Sequence, residues 1–377
     1  MAEYIITGYN DLSLMAVIDN GITEDLIISE KNEKINVGDI VIAKVKELSS
    51  GISSAFLDLG GIPGYMTISG NDNIRPGDEI LVQVIKEAYG LKDTAVTRKL
   101  SIAGKYAVVS LKSNSSSKAG VSISKKITDE TVRNRLRCLA LPLLDEYDIM
   151  IRTNGAHSLE EELKSEIKGS SEKLSEILKK APNRTVFSKL FEADDPFAAA
   201  VRDGRYDSKS LIITDDQVMY EKMKEHFPDI KISLYNDPEL PLSVVYKTGA
   251  LISGIRERRV WLKSGAYLVI DTTEAMTVID VNSGKNNSKD KREDTFLSIN
   301  LEAAREIARQ LRIRNISGMV LIDFINMKKT ENYTKLKAVL IKEMYVDLCN
   351  PVFVDYTGLG LCELTRKKTR RPAAELL

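Results

Sequence analysis

The chain has 377 residues, too many for one ordinary core, so several domains are expected. Hydrophobic residues make up 43% and charged residues 29%, the balance of a water-soluble globular protein, and no apolar run approaches the length that spans a bilayer. Lys and Arg together number 54, as do Asp and Glu; a net charge of zero argues against a polycation that coats nucleic acid, though not against local basic patches. Met1 to Asn10 has no cationic stretch followed by an apolar core, so no secretory signal is read there. Cys138, Cys349 and Cys362 lie far apart and form no CxxC pair. Neither a disulfide framework nor a structural zinc site is supported, and a cytoplasmic location is expected.

Residues 3–30 alternate apolar and polar side chains, which predicts a small antiparallel meander. Five short strands follow between about 35 and 100, at Asp39–Lys46, Ser54–Asp58, Gly64–Met66, Glu79–Lys86 and Thr94–Arg98, with glycines at the turns. That density suits a small closed barrel. Phe56 and Tyr65 lie on its strands, and Lys86 and Lys92 flank the Tyr89-Gly90 turn. Aromatics beside lysines suit base stacking with backbone neutralisation; two rings of the barrel core would read the same way.

Lys112–Gly120 reads as a loop or linker. Residues 127–180 look mostly helical, with Ser158 and Glu161 forming a capping box. Within them Arg152-Thr153, just before Asn154-Gly155, combines a guanidinium and a hydroxyl suited to a terminal phosphate, although a surface turn has the same composition. Residues 186–246 mix strand and helix, including a strand at Ser210–Thr214 and a helix from about Asp216. From Trp261 the order is strand, strand, helix, strand, helix, strand. Tyr267–Asp271 and Met276–Asp280 are strands, and Leu301, Ala304, Ala308 and Leu311 form one helical stripe. Met319–Phe324 is apolar apart from Asp323, as in the middle of a sheet covered on both faces. Arg256, Arg258, Arg259 and Lys263 form one candidate basic patch, and Arg366, Lys367, Lys368, Arg370 and Arg371 another; each is equally a solvated surface.

The two histidines, His157 and His226, neighbour no obvious nucleophile, which argues against a histidine-based hydrolase and excludes a His-rich metal site. No Gly-rich phosphate loop with Lys-Ser/Thr is present. Carboxylate chemistry remains. Two apolar strands end in aspartate, Thr277-Val278-Ile279-Asp280 and Val320-Leu321-Ile322-Asp323. A carboxylate after buried aliphatics is costly unless something pairs with it. Neighbouring strands would bring both to one edge, where two carboxylates suit magnesium, with water and phosphate oxygens completing the octahedron. Asn282, two residues beyond Asp280, shares its face and could orient an aspartate or a phosphate. Otherwise the aspartates cap helices or pair with Arg312 or Arg314.

The runs Leu268-Val269-Ile270-Asp271-Thr272-Thr273-Glu274-Ala275, Ile279-Asp280-Val281-Asn282-Ser283, Asn300 through Arg312, Val320-Leu321-Ile322-Asp323-Phe324-Ile325-Asn326-Met327 and Gly360-Leu361-Cys362-Glu363-Leu364-Thr365-Arg366 resemble the ribonuclease E/G family of bacteria. Ala55-Phe56-Leu57-Asp58-Leu59-Gly60 and Gly64-Tyr65-Met66 resemble its S1 domain. The resemblance covers nearly the whole chain and is weakest at 104–250. It implies an α+β multidomain fold. An RNase H-like domain at 1–34 and 190–255 would be interrupted by an S1 (OB-fold) barrel at 35–103 and a 5′-sensor region at 104–189. A DNase I-like α/β catalytic domain at 256–377 would follow. The meander would then find its partner strands at about 190–250.

The implied activity is a magnesium-dependent endoribonuclease that hydrolyses phosphodiesters of single-stranded RNA, from rRNA or mRNA precursors, leaving 5′-phosphate and 3′-hydroxyl ends. Asp280 and Asp323 would hold the magnesium beside Asn282. Phe56, Tyr65, Lys86 and Lys92 would bind RNA, and Arg152 and Thr153 would sense a 5′-monophosphate. The rival expectations are a non-catalytic RNA-binding protein of this fold and a phosphodiesterase for another nucleic acid. Two departures stand out. The chain stops at Leu377 before the family's Cys-Pro-x-Cys pair, so any oligomer is not expected to form through shared zinc. Asn326 stands where the family often has an acidic residue.

Overall fold

The N-terminal residues fold as their alternation dictates. Strands β1 (Ala2–Tyr9), β2 (Leu12–Asp19) and β3 (Ile22–Glu30) form an antiparallel meander. Asn20 and Gly21 both have positive φ, 49° and 74°, the pair of conformations a two-residue hairpin turn requires. The computed structural model describes residues 2–30, 35–49, 51, 53–68, 73–88, 92–112, 120–204, 210–284 and 292–377. Two compact units form, residues 1–32 with 206–377, and residues 33–205.

In the second unit, β4 (Ile40–Ser49), β5 (Ser54–Asp58), β6 (Pro63–Thr67), β7 (Glu79–Lys86) and β8 (Thr94–Thr97) run in the order β4-β5-β6-β8-β7. β4 also pairs with β7, which closes a five-stranded barrel. Val41, Ala43, Val45, Leu57, Val82 and Val84 fill it, each large aliphatic contributing about 1.5–3 kcal/mol by burial. Beyond the barrel come β9 (Ser101–Ala103), β10 (Ala107–Leu111), β11 (Val121–Ile123), α1 (Glu130–Ala140), β12 (Tyr147–Ile151), α2 (Glu160–Lys180), β13 (Lys189–Phe191) and α3 (Pro196–Asp203). β11, β12, β10 and β9 make a sheet whose core is shared with Leu136 of α1 and Leu163, Ile167 and Leu174 of α2. Glu166 of α2 fastens the helix to this sheet, accepting from the backbone N–H groups of Lys105, Tyr106 and Ala107 at 2.8 Å each. β13 pairs with β4, and the buried Asp39 secures it by accepting from Ala193 N–H and pairing with Lys189 at 2.8 Å.

Residues 127–180 are mostly helical, as expected, with the strand β12 between α1 and α2. One sequence expectation is corrected here. The capping box does not form: the residue before α2 is Leu159, without a side-chain cap, and Ser158 Oγ donates to Gly155 O at 3.0 Å. Glu160, Glu161 and Glu162 sit in the first turn, where negative charge meets the positive helix end. The expected loop at Lys112–Gly120 lies, for residues 113–119, outside the described residues.

The first unit continues with β14 (Leu211–Thr214), α4 (Gln217–His226), β15 (Lys231–Leu234), α5 (Leu242–Val245) and α6 (Thr248–Arg256). β1 pairs in parallel with β14, so the meander extends into a five-stranded sheet, β15-β14-β1-β2-β3. Next come β16 (Arg259–Trp261), β17 (Tyr267–Thr272), β18 (Met276–Asn282), α7 (Arg292–Ile313), β19 (Gly318–Asp323), α8 (Thr330–Met344), β20 (Val352–Tyr356), β21 (Cys362–Arg366) and α9 (Ala373–Leu376). They form a sheet in the order β16-β17-β18-β19-β21-β20. Ala304, Ala308 and Leu311 of α7 and Leu336 and Leu340 of α8 pack on Leu268, Ile279, Val320 and Ile322.

The helices cover one face only. Val278 is 37% exposed and Met319 51%, so β19 is not the doubly covered strand its apolar run suggested. Among the described residues no helix is long and apolar enough to cross a membrane.

Candidate active site

The uncovered face of this sheet carries the two aspartates. Along β18, Thr277, Ile279 and Val281 turn into the core, which leaves Val278, Asp280 and Asn282 facing outward. Along β19, Val320 and Ile322 are buried and Asp323 is exposed. β18 and β19 are parallel neighbours, and Asp280 is the register partner of Asp323. One strand spacing, about 4.8 Å, therefore separates their backbones, and both carboxylates leave the same face. Asn282 donates from Nδ2 to Asp280 Oδ2 at 2.7 Å, which fixes that carboxylate while leaving Oδ1 open.

Arg312 and Arg314, the alternative partners, are engaged elsewhere. Arg312 pairs with Glu24 at 2.5 Å, and Arg314 donates to Gln310 at 2.5 Å and to the carbonyls of Gly254 and Glu257. Neither aspartate caps a helix. Among the described residues no basic side chain pairs with Asp280 or Asp323. Adjacent carboxylates without a counter-charge repel, and a divalent cation relieves that repulsion. Two carboxylates on one face suit a divalent cation such as Mg²⁺, which binds through one or two carboxylates plus water and phosphate oxygens.

Two positioning residues escaped the sequence reading. Asn300 is fully buried in α7 and clamps the backbone just beyond Asp323, donating to Ile325 O at 2.8 Å and accepting from Ile325 N–H at 3.0 Å. Its signal was an amide at the head of the apolar stripe Ala304, Ala308, Leu311. Glu293, in the first turn of α7, accepts from the N–H groups of Lys328 and Lys329 and from Asn332 Nδ2. These bonds, led by the one from Lys329, hold its carboxyl below the ordinary range. On the other side, Gly284 has φ +64°, and a Cβ there would lie 2.3 Å from Gly265 O, so the chain after Asn282 passes hard against the β16–β17 turn.

The barrel residues also converge. Phe56 is the register partner of Tyr65, Tyr65 of Ala95, and Ala95 of Lys86. Both rings are half-buried and lie outside the apolar core of the barrel, so the core reading of them fails. Lys86 and Lys92 are exposed. Arg152 and Thr153 are adjacent at the end of β12. Arg152 donates to Gly104 O at 2.7 Å and pairs with Asp203 at 2.6 Å, and the hydroxyls of Thr153 and Ser124 lie 3.0 Å apart. Of the two basic clusters, the C-terminal one is not a free patch, since Arg366 is buried in an ion pair with Asp347 and Arg371 pairs with Glu30.

Fold and site together define an α+β protein with a closed five-stranded barrel and a two-carboxylate centre on an open sheet face. The chain belongs to the Ribonuclease E/G family, whose model matches residues 101–369. It is similar to Ribonuclease E of Nostoc sp., 29% identical over 96% of this chain and 55% of that protein. It is also similar to Ribonuclease G of Salmonella typhimurium, 28% identical over 100% of this chain and 82% of that protein. Ribonuclease G of Escherichia coli K12 is 27% identical over the same shares. The chain thus spans about half the length of the first relative and about four-fifths of the other two.

Proposed function

We propose that this protein is a magnesium-dependent endoribonuclease that hydrolyses single-stranded RNA in RNA processing and decay. The observation that carries the reading is the register-matched pair Asp280–Asp323 on an open sheet face, in a chain of the Ribonuclease E/G family. Asp280 and Asp323 would hold the magnesium, which when bound supplies charge neutralisation at the phosphate and activation of water. Asn282 orients Asp280 through its amide, and Asn300 and Glu293 fix the backbone that follows Asp323. In this reading the sheet at 259–366 is the core of a DNase I-like catalytic domain, the barrel an S1 domain, and the sheet β15-β14-β1-β2-β3 an RNase H-like domain. Purified protein incubated with a short 5′-monophosphorylated single-stranded RNA should cleave it with magnesium and not without. The new ends should be 5′-phosphate and 3′-hydroxyl. Intact RNA in both samples overturns the proposal.

The barrel row would hold RNA. Bases stack on rings such as Phe56 and Tyr65, and Lys86 and Lys92 neutralise phosphates. Phe56→Ala and Tyr65→Ala should each weaken RNA binding by about 1–3 kcal/mol. Because neither ring belongs to the barrel core, urea unfolding should change little. A large loss of stability without a selective loss of affinity counts against the platform.

Arg152 and Thr153 would sense the RNA end. A dianionic phosphate accepts charge-assisted bonds that a 5′-hydroxyl cannot. Asp203 and Gly104 O engage only Nη1 of the guanidinium, which leaves its Nε and Nη2 donors for the phosphate. Asp203 is itself held below the ordinary carboxylate range: burial raises it, and Arg152 and Arg202 together outweigh that. Arg152→Ala should abolish faster cleavage of 5′-monophosphate RNA while leaving the 5′-hydroxyl rate unchanged. Equal wild-type rates on the two RNAs refute the assignment.

A further inference from the structure

The open face that carries Asp280 and Asp323 continues onto β17 and β16, and there it is aromatic. Tyr267 is the register partner of Asn282, and Trp261 is the register partner of Tyr267. The Trp261 and Tyr267 ring centroids are 5.2 Å apart, inclined at 58°. The Arg259 guanidinium lies over both rings, 4.6 Å from the Tyr267 centroid and 5.6 Å from that of Trp261. Arg259 is the partner of Val269, itself the partner of Asp280, so its backbone stands in the cross-strand row of the aspartates while its guanidinium leans over the rings of the next row.

Trp261 is the only tryptophan of the chain, and it is 63% exposed. A large ring left in water is costly unless something covers it. From Asn282 the two rings lie one and two strand spacings away, about 5 and 10 Å, which is the reach of a base beside a phosphate bound at the aspartates. The cation and the rings supply the two things a single-stranded nucleotide needs, a partner for its phosphate and a face for its base.

We infer that Arg259, Trp261 and Tyr267 form a base-stacking platform for a nucleotide adjacent to the scissile phosphate of single-stranded RNA. The inference rests on the ribonuclease reading above and adds to it a substrate contact within the catalytic sheet, separate from the barrel. It makes Trp261 a built-in reporter of substrate occupancy.

The test uses the full chain in magnesium-free buffer with a short 5′-monophosphorylated single-stranded RNA. Binding is followed both by Trp261 fluorescence and by anisotropy of end-labelled RNA. Saturable quenching that tracks the anisotropy is expected. Trp261→Ala should weaken RNA affinity about 10-fold or more, and Trp261→Phe should restore most of it. The exposure of the side chain makes either change harmless to the core. A single abasic nucleotide moved along the RNA should weaken wild-type binding at one position next to the cut, and Trp261→Ala should be indifferent to it. RNA that binds and is cleaved by the wild type without quenching, with Trp261→Ala affinity unchanged, overturns the platform alone. A Trp261→Ala protein that changes oligomeric mass at unchanged RNA affinity also overturns it and makes the face a protein contact. A wild type that neither binds nor cleaves RNA removes both the platform and the ribonuclease reading.

Discussion

Asp280→Asn and Asp323→Asn should each lower the rate of RNA cleavage by at least about a thousandfold, roughly 4 kcal/mol of transition-state stabilisation, while RNA affinity stays nearly intact. The asymmetry follows from where these groups stand. Both carboxylates are exposed on the uncovered face, so replacing one with an isosteric amide removes charge without opening a cavity. What is lost is the paired negative charge that would hold magnesium against the phosphate. Circular dichroism should match the wild type, and anisotropy with labelled RNA should change little. Asn282→Ala belongs to the same series with a smaller expected effect, since it leaves both carboxylates and removes only the 2.7 Å bond that orients Asp280. Near wild-type cleavage by both aspartate variants would show that the chemistry lies elsewhere.

How much of this is legible in the sequence varies with the reach of the interaction. The strand at 276–282 and the stripe on α7 declare themselves because burial on one face imposes a period of two or of 3.6 on nearby residues. The barrel strands were legible for the same reason. β12 was not, because five residues between two helices offer too short a run to separate a strand period from a helical one. Asp280 and Asp323 could be singled out as carboxylates ending apolar strands, but their direct opposition depends on β18 and β19 being neighbours in parallel register, which no local pattern encodes. The exposed outer face of β19 was misread for a related reason: an apolar run does not say how many of its faces have a partner. Arg366 is the extreme case. Its neighbours Lys367 and Lys368 make the segment look like a basic surface, and only the tertiary fold turns this one residue inward.

That inward turn leads to the largest expected effect on stability. Arg366 is 4% exposed and Asp347 2%. The guanidinium grips the carboxylate in a fork, Nε to Oδ2 at 2.8 Å and Nη2 to Oδ1 at 3.2 Å. Nη1 donates to Asn315 Oδ1 at 2.8 Å and to Ile316 O at 2.9 Å. Asp347 Oδ1 also accepts from Cys349 N–H at 2.8 Å. One side chain on β21 thus ties the segment after α8 to the turn between α7 and β19. Arg366→Ala would strand a buried carboxylate, and breaking a buried pair from one side costs about 3–5 kcal/mol. Arg366→Lys should recover only part of this, because an ammonium cannot fork one carboxylate and reach two further acceptors at once. Replacing both partners, Arg366→Met with Asp347→Leu, should be milder than Arg366→Ala alone, since the Asp347 carboxylate is removed with its guanidinium and the nearby Asp25 keeps Arg370 and Arg312. Urea unfolding of the three variants reads the order directly. A double variant less stable than Arg366→Ala would mean that the bonds to Asn315 and Ile316, not the ion pair, hold this corner of the sheet.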